Sequence, residues 1–475
     1  MSKHSVLFVA SEVFPFAKSG GLADVAHALP RALNDFCNID VVMPLYSFID
    51  KQRYNILPTD VSLDVRMGEV SYKVELYSCI YESITYFFIY NSLLCEREFL
   101  YGSPEKAYED NALRFGIFNY GVLELLKYKK YDIAHLNDWQ SALIPLLIKE
   151  DVQLQTRSLF TIHNLAYQGV FEKDILQQLG LDENYFSING LEFYSKVSFM
   201  KAGIAYADAL TTVSPNYARE ILTPEFGCGL EGFLSYHSSK LEGIINGIDT
   251  KHFSPSDDKA LVQPYKDLKT KSVNKKAYLK ETKLKGHKKP LFIFIGRFTW
   301  QKGIDLLVES LDTIATLECN VAILGDGEEQ YHHKLQEIAD RYNNIYLEFG
   351  YDESRSHRMY AATDFLLMPS VFEPCGLNQL IAMHYGAVPV VHGVGGLVDT
   401  VHTDTQHLKE NDGCGMIFYG QTKTSFVAII QKALQFYKDK KRYKAVAEHN
   451  MRCDFSWGKS AQKYVKIYNN IREQL

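Results

Sequence analysis

Two basic residues, Arg297 and Lys302, stand in the stretch GRFTWQKG at 296–303. Arginine presents a planar fork of N–H donors and lysine a mobile point charge, so together they suit a phosphate group. Two surface cations without a ligand would give the same pattern. The sequence contains no H-E-x-x-H, no D-x-D and no Cys/His cluster at ligand spacing. We therefore expect an anion site that works without a metal ion, and no cofactor.

A second stretch whose residues could take part in binding or catalysis is PSVFEPCGLNQLIAM at 369–383. It leads through Glu373, Cys375 and Gly376 into an amphipathic helix. Backbone amides at the start of this helix could hold the same anion. A bound anion would repel the carboxylate of Glu373, so Glu373 must bind something other than the anion. Accepting hydrogen bonds from sugar hydroxyls would fit. The alternative is that Glu373 is a helix-start carboxylate favoured only by the helix dipole.

Two glycine-rich stretches are similar to each other: KSGGLADVA at 18–26 and GVGGLVDTV at 393–401. Glycine lets the backbone approach a ligand closely, and N–H groups at the start of a helix attract anions. Both stretches follow predicted strands, which favours ligand binding. Two unrelated tight turns remain the alternative for this pair.

Polar residues also follow two other apolar segments. The stretch HLNDWQ places Asp138 directly after a predicted strand, and TIHN does the same for His163. In open α/β sheets, ligands bind beyond the carboxyl ends of the strands. Several polar loops at that face together predict a binding site more strongly than any one of them.

These residues must be positioned by short apolar segments that alternate with helical ones. In the first half, strands are predicted at 6–10, 39–46, 86–90, 132–138, 159–164 and 209–215. In the second half, they are predicted at 290–296, 320–327, 344–351, 364–370 and 388–393, with helices at 115–128 and 303–315 in the two halves. This alternation is typical of parallel sheets, so we predict two Rossmann-like α/β domains joined near 244–258.

Composition excludes several classes of protein. The chain of 475 residues is too long for one compact core. Its 51 basic and 57 acidic residues give a net charge of −6, whereas a nucleic-acid-binding protein usually has an excess of basic residues. No apolar run approaches ~18 residues, and the N-terminal sequence lacks a signal-peptide pattern, so we expect no membrane association. Eight scattered cysteines favour reduced thiols and a cytoplasmic location. The Lys-rich stretch 259–289 favours a solvated helical face over a basic binding site.

Taken together, the motifs resemble those of bacterial glycogen synthases and plant starch synthases. The matching stretches occur in the family's order and span nearly the whole chain: KSGGLADV, NDWQSALIP, TIHNLAYQG, TVSPNYAREI, EFGCGLEG, NGID, GRFTWQKG and FEPCGLNQLIAMHYGAVPVV. The resemblance implies a GT-B type glycosyltransferase, with two Rossmann-like domains facing each other across a deep cleft. It places the N-terminal, acceptor-side domain at 1–245, the nucleotide-sugar domain at 246–455, and a C-terminal helix that crosses back at 456–475.

The resemblance also implies an activity. The family transfers glucose from ADP-glucose to the non-reducing end of an α-1,4-glucan such as glycogen or a maltooligosaccharide, with retention of configuration and release of ADP. Residues that match the family's catalytic positions are Asp138, His163, Arg297, Lys302 and Glu373. Residues that match its donor-binding positions are Lys18, Gly20, Gly21, Cys375, Gly376, Leu377 and Asn378. The backbone carbonyl near His163 would stabilise the oxocarbenium-like transition state.

Four positions depart from the family pattern. Gln140 stands where the family usually has His, Asn378 where it has Thr, and His384 and His392 where it commonly has Arg. Asn378 leaves the backbone amide in place, whereas Gln140 weakens the inference about the acceptor side.

Three other functions remain open from the sequence. One is a retaining glycosyltransferase that uses UDP-glucose. Another is a retaining glycoside hydrolase with Asp138 and Glu373 as its carboxylate pair, which would leave Arg297, Lys302 and the glycine loops without a purpose. The third is a glucan-binding protein, because 31 tyrosines offer stacking faces for sugars. ADP release from ADP-glucose, measured with and without glycogen, separates these functions.

Overall fold

The computed structural model describes residues 3–103, 106–350, 352–403 and 412–473. It separates the chain into two compact units. The first unit consists of Met1–Asn246 together with Trp457–Leu475, and the second of Gly247–Ser456. The domain limits predicted from the sequence, 245 and 455, are each one residue earlier.

Most of the strands are short. They are β1 (Ser5–Val9), β2 (Asn38–Pro44), β3 (Leu57–Met67), β4 (Val70–Tyr81), β5 (Ile84–Tyr90), β6 (Ile133–Asn137), β7 (Arg157–Ile162), β8 (Val170–Phe171), β9 (Glu192–Phe193), β10 (Lys196–Ser198), β11 (Ala209–Thr212), β12 (Leu241–Gly243), β13 (Leu291–Ile295), β14 (Asn320–Gly325), β15 (Ile345–Phe349), β16 (Phe365–Met368), β17 (Val388–His392) and β18 (Met416–Phe418).

The α-helices connect these strands and cover the sheets. They are α1 (Gly21–Leu33), α2 (Ser92–Cys95), α3 (Asn111–Tyr128), α4 (Ile144–Glu150), α5 (Ile175–Leu179), α6 (Phe199–Tyr206), α7 (Pro215–Glu220), α8 (Glu231–Tyr236), α9 (Leu268–Glu281), α10 (Ile304–Ala315), α11 (Glu329–Arg341), α12 (Glu353–Ala362), α13 (Asn378–His384), α14 (Gly395–Thr400), α15 (Lys423–Lys438), α16 (Lys440–Arg452) and α17 (Gly458–Glu473). Several begin at a side-chain cap: the side chains of Ser198, Ser214 and Asp267 each accept a hydrogen bond from a backbone N–H three residues later.

The first unit is built on a nine-stranded sheet with the order β12-β11-β7-β6-β1-β2-β5-β4-β3. Strand β1 lies in the middle and pairs in parallel with β2 on one side and β6 on the other. Its residues Val6 to Val9 are fully buried, as expected for a central strand of a sheet covered on both faces.

One edge of this sheet differs from the predicted parallel arrangement. Strands β3 and β4 form an antiparallel hairpin, and β4 pairs antiparallel with β5. The two strands alternate between exposed and buried residues, so this edge is half solvated. Gly68, with φ of 57°, begins the two-residue turn between them. We did not predict these strands because alternating polar residues hide them among loops.

The second unit has a six-stranded, fully parallel sheet with the order β15-β14-β13-β16-β17-β18. Counted from β13, this is the 3-2-1-4-5-6 order of a Rossmann fold. Helices α10, α11 and α15 pack apolar faces onto it, with Leu307, Leu335 and Ile430 in the core. The alternation of strands and helices that the sequence predicts for the second half is therefore present in the structure.

The prediction of a solvated helical face for 259–289 is wrong in part. Helix α9 lies in this stretch, and two of its lysines are buried. Lys271 donates through Nζ to the carbonyl of Tyr385 at 2.6 Å, and Lys275 pairs with Asp364 at 2.5 Å. Burial lowers the pKa of Lys271 to about 7. These lysines satisfy buried acceptors, which a count of charges cannot reveal.

The last helix, α17, belongs to the first unit. Its buried Tyr468 forms a hydrogen bond with Nδ1 of His135 on β6 at 2.7 Å. Asn469 lies 2.7 Å from His4, and Arg472 pairs with Asp132 at 2.8 Å. The C-terminal segment is thus fastened to the amino-terminal edge of β1 and β6.

Candidate active site

In the second unit, the chemically promising residues flank the point where the sheet order reverses. The chain leaves β13 to build β14 and β15 on one side, and then returns to β16 on the other side. In open α/β sheets, ligands bind beyond the carboxyl ends of the strands at such a point. Arg297 and Lys302 follow β13, and Glu373 follows β16.

The structure brings Lys302 and Glu373 into direct contact. Lys302 Nζ lies 2.8 and 2.7 Å from the two carboxylate oxygens of Glu373. The hydroxyl of Ser370 also donates to Glu373, at 2.9 Å. The Glu373 side chain is 5% exposed and that of Lys302 27% exposed. The carboxylate is therefore held at a fixed position, while the ammonium keeps access to solvent.

Gly303 makes this contact possible. It adopts φ of 69°, and a Cβ atom at this position would overlap the carbonyl oxygen of Pro369. The loops are also joined by the carbonyl of Gln301, which accepts hydrogen bonds from the amides of Val371 at 2.9 Å and Phe372 at 3.2 Å. The loop after β13 therefore lies directly on the loop after β16.

Arg297 is exposed and forms no ion pair with any described residue. Together with Lys302 and Glu373, it gives this loop cluster two positive charges and one negative charge. An exposed guanidinium without a carboxylate partner keeps its N–H donors available for an anion from solution.

The residues from Cys375 to Asn378 shape the end of the same loop. Cys375 is buried, and Gly376 has φ of 73°. Leu377 is the residue before α13, and the side chain of Asn378 donates to the carbonyl of Ile295 at 2.7 Å. Asn378 thus connects the start of α13 to the end of β13, across the point where the sheet order reverses.

The second glycine stretch packs on this loop. A Cβ at Gly395, which has φ of 48°, would overlap the carbonyl oxygen of Glu373. A Cβ at Gly396 would overlap the carbonyl oxygen of Cys375, and the Gly396 amide donates to the backbone carbonyl of Glu373 at 3.1 Å. The glycines of 393–401 are therefore needed because the backbone that carries Glu373 lies against them.

In the first unit, the KSGGLADVA loop follows β1 but is occupied by the protein's own carboxylate. Glu12 accepts hydrogen bonds from the amide of Ser19 and, at 3.3 Å, from that of Gly20. Lys18 pairs with Asp24 at 2.6 Å. Glu12 therefore binds two backbone amides of this loop, and the expectation that the loop binds an anion stays a prediction. Burial raises the pKa of Glu12 above its usual value. Gly21 is exposed and begins α1.

Asp138 and His163 are brought together at the ends of neighbouring strands β6 and β7. Asp138 accepts hydrogen bonds from the backbone amides of His163 at 2.7 Å and Asn164 at 3.4 Å. Its backbone has φ of 56°, which non-glycine residues seldom adopt. Desolvation outweighs these two hydrogen bonds and raises the pKa of Asp138 to about 7.

The ring of His163 is held in one tautomer. Its Nε2 lies 2.8 Å from Oδ1 of Asn137, whose amide group donates to the carbonyl of Val9 at 2.8 Å. Because Oδ1 only accepts, Nε2 carries the proton, and Nδ1 carries a lone pair. Burial lowers the pKa of His163 to about 3, so the ring is neutral at physiological pH.

Comparisons with known proteins give this arrangement its context. The protein-family model for the starch synthase catalytic domain matches residues 5–236, and the family model for glycosyl transferases group 1 matches residues 275–450. A glycogen synthase of Geotalea daltonii is 41% identical over 478 residues, which cover 98% of each chain. The chain belongs to the glycogen and starch synthase family.

Other members agree with this. A glycogen synthase of Myxococcus xanthus is 40% identical, covering 98% of this chain and 99% of its own. The catalytic domain of starch synthase IV from Arabidopsis thaliana, bound to ADP and acarbose, aligns with a TM-score of 0.92 and 32% identity over 99% of this chain and 100% of its own. As a member of this family, the chain is a glycosyltransferase that extends a glucan, and the prediction of the GT-B fold class is confirmed. No helix within the described ranges has the length and apolarity to cross a membrane.

Sequence analysis missed three residues that form hydrogen bonds with the predicted site residues or their loops: Glu12, Asn137 and Ser370. Glu12 lies three residues beyond β1, Asn137 is the last residue of β6, and Ser370 lies two beyond β16. The signal that identified Asp138 and His163, a polar residue at the end of an apolar strand, would have identified them as well. They were overlooked because each accompanies a more conspicuous neighbour.

The departures from the family pattern have different surroundings. His392 donates through Nδ1 to the carbonyl of Ser370 at 2.8 Å, so it supports the residue that binds Glu373. Gln140 is buried, and its backbone carbonyl accepts from the side chain of Asn119 at 2.7 Å. Burial lowers the pKa of His384, which ends α13.

Proposed function

We propose that the protein transfers glucose from ADP-glucose to the non-reducing end of an α-1,4-glucan, such as glycogen or a maltooligosaccharide, with retention of configuration. The observation that carries this proposal is the cluster of Arg297, Lys302 and Glu373 at the point where the second sheet reverses its order. It offers cations for a diphosphate next to a carboxylate for sugar hydroxyls. The ADP in the related starch synthase structure supports the choice of nucleotide.

We assign Arg297 and Lys302 to the diphosphate. As the bond between the anomeric carbon and the phosphate oxygen breaks, negative charge develops on the departing ADP, and fixed cations stabilise it. The Lys302 ammonium has three N–H donors. It can therefore keep one hydrogen bond to Glu373 and direct another to a phosphate oxygen. Arg297 contributes a planar pair of donors.

We assign Glu373 to the glucosyl hydroxyls, with Cys375, Gly376, Leu377 and Asn378 forming the loop that supports the sugar and the distal phosphate. A carboxylate that is already bound by Lys302 and Ser370 is preorganised, so sugar hydroxyls meet an acceptor that does not have to be reoriented. Lys18, Gly20 and Gly21 remain candidates for donor binding on the basis of the family pattern alone.

In the first unit we assign Asp138 and His163 to the acceptor and the anomeric carbon. His163 is neutral, and its amide is fixed by Asp138. This contact orients the backbone of the loop after β7. The backbone carbonyl near His163 would stabilise the positive charge of the oxocarbenium-like transition state. The acceptor hydroxyl attacks from the face that ADP leaves. A new carbon–oxygen bond forms, and the hydroxyl proton passes to a phosphate oxygen of ADP.

The activity is expected not to need a metal ion, because basic side chains take the part that Mg²⁺ plays in other nucleotide-sugar transferases. We predict full turnover in excess EDTA, measured at a temperature well below the melting temperature. A strict requirement for Mg²⁺ or Mn²⁺ would contradict this part of the proposal.

The decisive experiment is a donor panel. ADP-, UDP- and GDP-glucose are each incubated with and without glycogen, and release of the nucleoside diphosphate is measured. We expect ADP-glucose to be the preferred donor and release to depend on the acceptor. Preference for UDP-glucose would overturn the donor assignment, and release that is independent of glycogen would overturn transfer. We also propose a cytoplasmic location, because free cysteines are typical of proteins in a reducing compartment.

A further inference from the structure

A second group of residues in the second unit has the composition of a metal site. His252, Glu353 and His357 each offer one nitrogen or oxygen ligand atom, and these three atoms lie within 4.8 Å of one another. We propose that they bind one divalent transition-metal ion of the zinc class. Two imidazoles and one carboxylate form a ligand set typical of zinc, whereas Mg²⁺ and Ca²⁺ prefer oxygen ligands.

The backbone fixes all three ligands near one another. Glu353 is the first residue of α12, and His357 follows one turn later, so both lie on the same face of the helix. Asp352 caps this helix by accepting the Arg355 amide at 2.8 Å. His252 comes from the loop after β12, where Asp249 accepts its amide at 3.1 Å.

His357 already has the supporting contacts of a metal ligand. Its Nδ1 lies 2.8 Å from Oδ2 of Asp258, which also accepts the hydroxyl of Tyr385 at 2.6 Å. Because Asp258 Oδ2 accepts both hydrogen bonds, Nδ1 of His357 is the donor and Nε2 carries a lone pair. A ligand histidine in metalloproteins commonly donates its other N–H to a carboxylate in this way.

The Nε2 atom of His357 is the observation that an ordinary buried histidine does not explain. It is buried and has no hydrogen-bond partner among the described residues. An unpaired nitrogen in the interior costs free energy unless something binds to it. Coordination of a metal ion by this lone pair would remove that cost.

The other two ligands can adjust to a metal ion. His252 Nε2 and Glu353 Oε1 are 3.0 Å apart, and their side chains are 34% and 36% exposed. Tetrahedral ligands at about 2.1 Å from zinc lie roughly 3.4 Å apart, so His252 and Glu353 need to separate slightly, and the three ligand atoms, now within 4.8 Å of one another, need only modest adjustment. Solvent can supply the fourth ligand. The ion would join the loop after β12 to α12 and, through Asp258 and Tyr385, to the end of α13. The expected role is structural.

The test uses the full chain after removal of metal by a chelator and dialysis. Zn²⁺ is titrated in competition with a chromophoric chelator, and Co²⁺ provides a visible spectrum that reports tetrahedral coordination. The variants are His252→Ala and Glu353→Gln, because both side chains are partly exposed and their loss should leave the fold intact. The matched control is His333→Ala, which removes an exposed histidine that also lies one helical turn from a glutamate, Glu329, at 3.8 Å.

We expect one Zn²⁺ per chain, a tetrahedral Co²⁺ spectrum and a higher melting temperature with Zn²⁺. Both variants should bind at least about 10-fold more weakly and lose the increase in melting temperature, and the control should keep both. Absence of stoichiometric binding by the wild type would overturn the proposal and leave a His252–Glu353 ion pair only. Binding that the two variants retain, or that His333→Ala removes, would overturn it equally.

Discussion

At the scale of single residues, the ion pair between Lys302 and Glu373 determines what the candidate site can bind. We predict that Lys302→Ala and Arg297→Ala each lower kcat by about 10²–10³, since each removes a fixed charge that stabilises the departing diphosphate. Turnover with ADP-glucose and glycogen measures this. The control is Lys196→Ala, which breaks an exposed ion pair with Glu172 of 2.6 Å. Near-normal turnover of either variant with an intact fold would contradict the diphosphate role.

Loss of Lys302 also affects stability, because it leaves the buried carboxylate of Glu373 without its cation. The double variant Lys302→Met with Glu373→Gln removes both charges. It should recover melting temperature relative to Lys302→Ala but not turnover. This comparison separates the catalytic effect of the charge from its effect on folding.

Asp138 gives a second prediction at this scale. Its pKa is about 7 in the folded protein, against an ordinary value near 3.8 in the unfolded chain. Between these pH values Asp138 is protonated in the folded state and ionised in the unfolded chain. Its contribution to stability is therefore complete below pH 3.8 and is lost as the pH rises through 7. Asp138→Asn can keep the hydrogen bonds from His163 and Asn164 without the charge. It should raise the melting temperature at pH 8 relative to the wild type, and less so at pH 5. An equal shift at both pH values would show that the charge does not matter.

At the scale of elements, the site depends on how closely the loops after neighbouring strands approach. We predict that Gly303→Ala destabilises the protein and lowers kcat, because its Cβ would overlap Pro369 and separate Lys302 from Glu373. The positive φ alone costs about 1–2 kcal/mol. Gly420→Ala is a matched control, since Gly420 has φ of 83° with only a 3.9 Å contact to Ser425.

Urea unfolding and turnover of the two glycine variants provide the comparison. Gly303→Ala should lose more stability than Gly420→Ala, and only Gly303→Ala should lose turnover. Equal losses in stability with normal turnover in both would indicate that the contact between the loops is unimportant for the site.

At the scale of the whole molecule, the chain returns to its first unit through α17. Tyr468 of α17 and Thr161 of β7 pair with the two ring nitrogens of His135 at 2.7 and 2.8 Å. We predict that Tyr468→Phe lowers the free energy of unfolding by about 1–3 kcal/mol, because a buried ring nitrogen loses its partner. The exposed Tyr236 gives the control Tyr236→Phe, which should change stability by less than about 0.5 kcal/mol. A negligible effect of Tyr468→Phe in urea unfolding would show that this hydrogen bond does not fasten the helix.

The sequence alone determined the class of fold and the residues at strand ends. Buried parallel strands require continuous apolar runs, so β1, β13 and β16 were visible as such runs. Their carboxyl ends then indicated the loops that carry Lys18, Arg297 and Glu373. The antiparallel hairpin of β3 and β4 was not predicted, because a half-solvated strand shares its polar residues with loops.

The tertiary structure decided which of these residues meet. Lys302 and Glu373 are 71 positions apart, and only the pairing of β13 with β16 makes them an ion pair. Glu12 filling the first glycine loop and the burial of Lys271 likewise depend on packing between distant segments. Residue types and local spacing determine the secondary structure and indicate which chemistry the residues could perform. Distances, burial and pKa values arise from contacts that are distant in sequence, so they became known only from the folded chain.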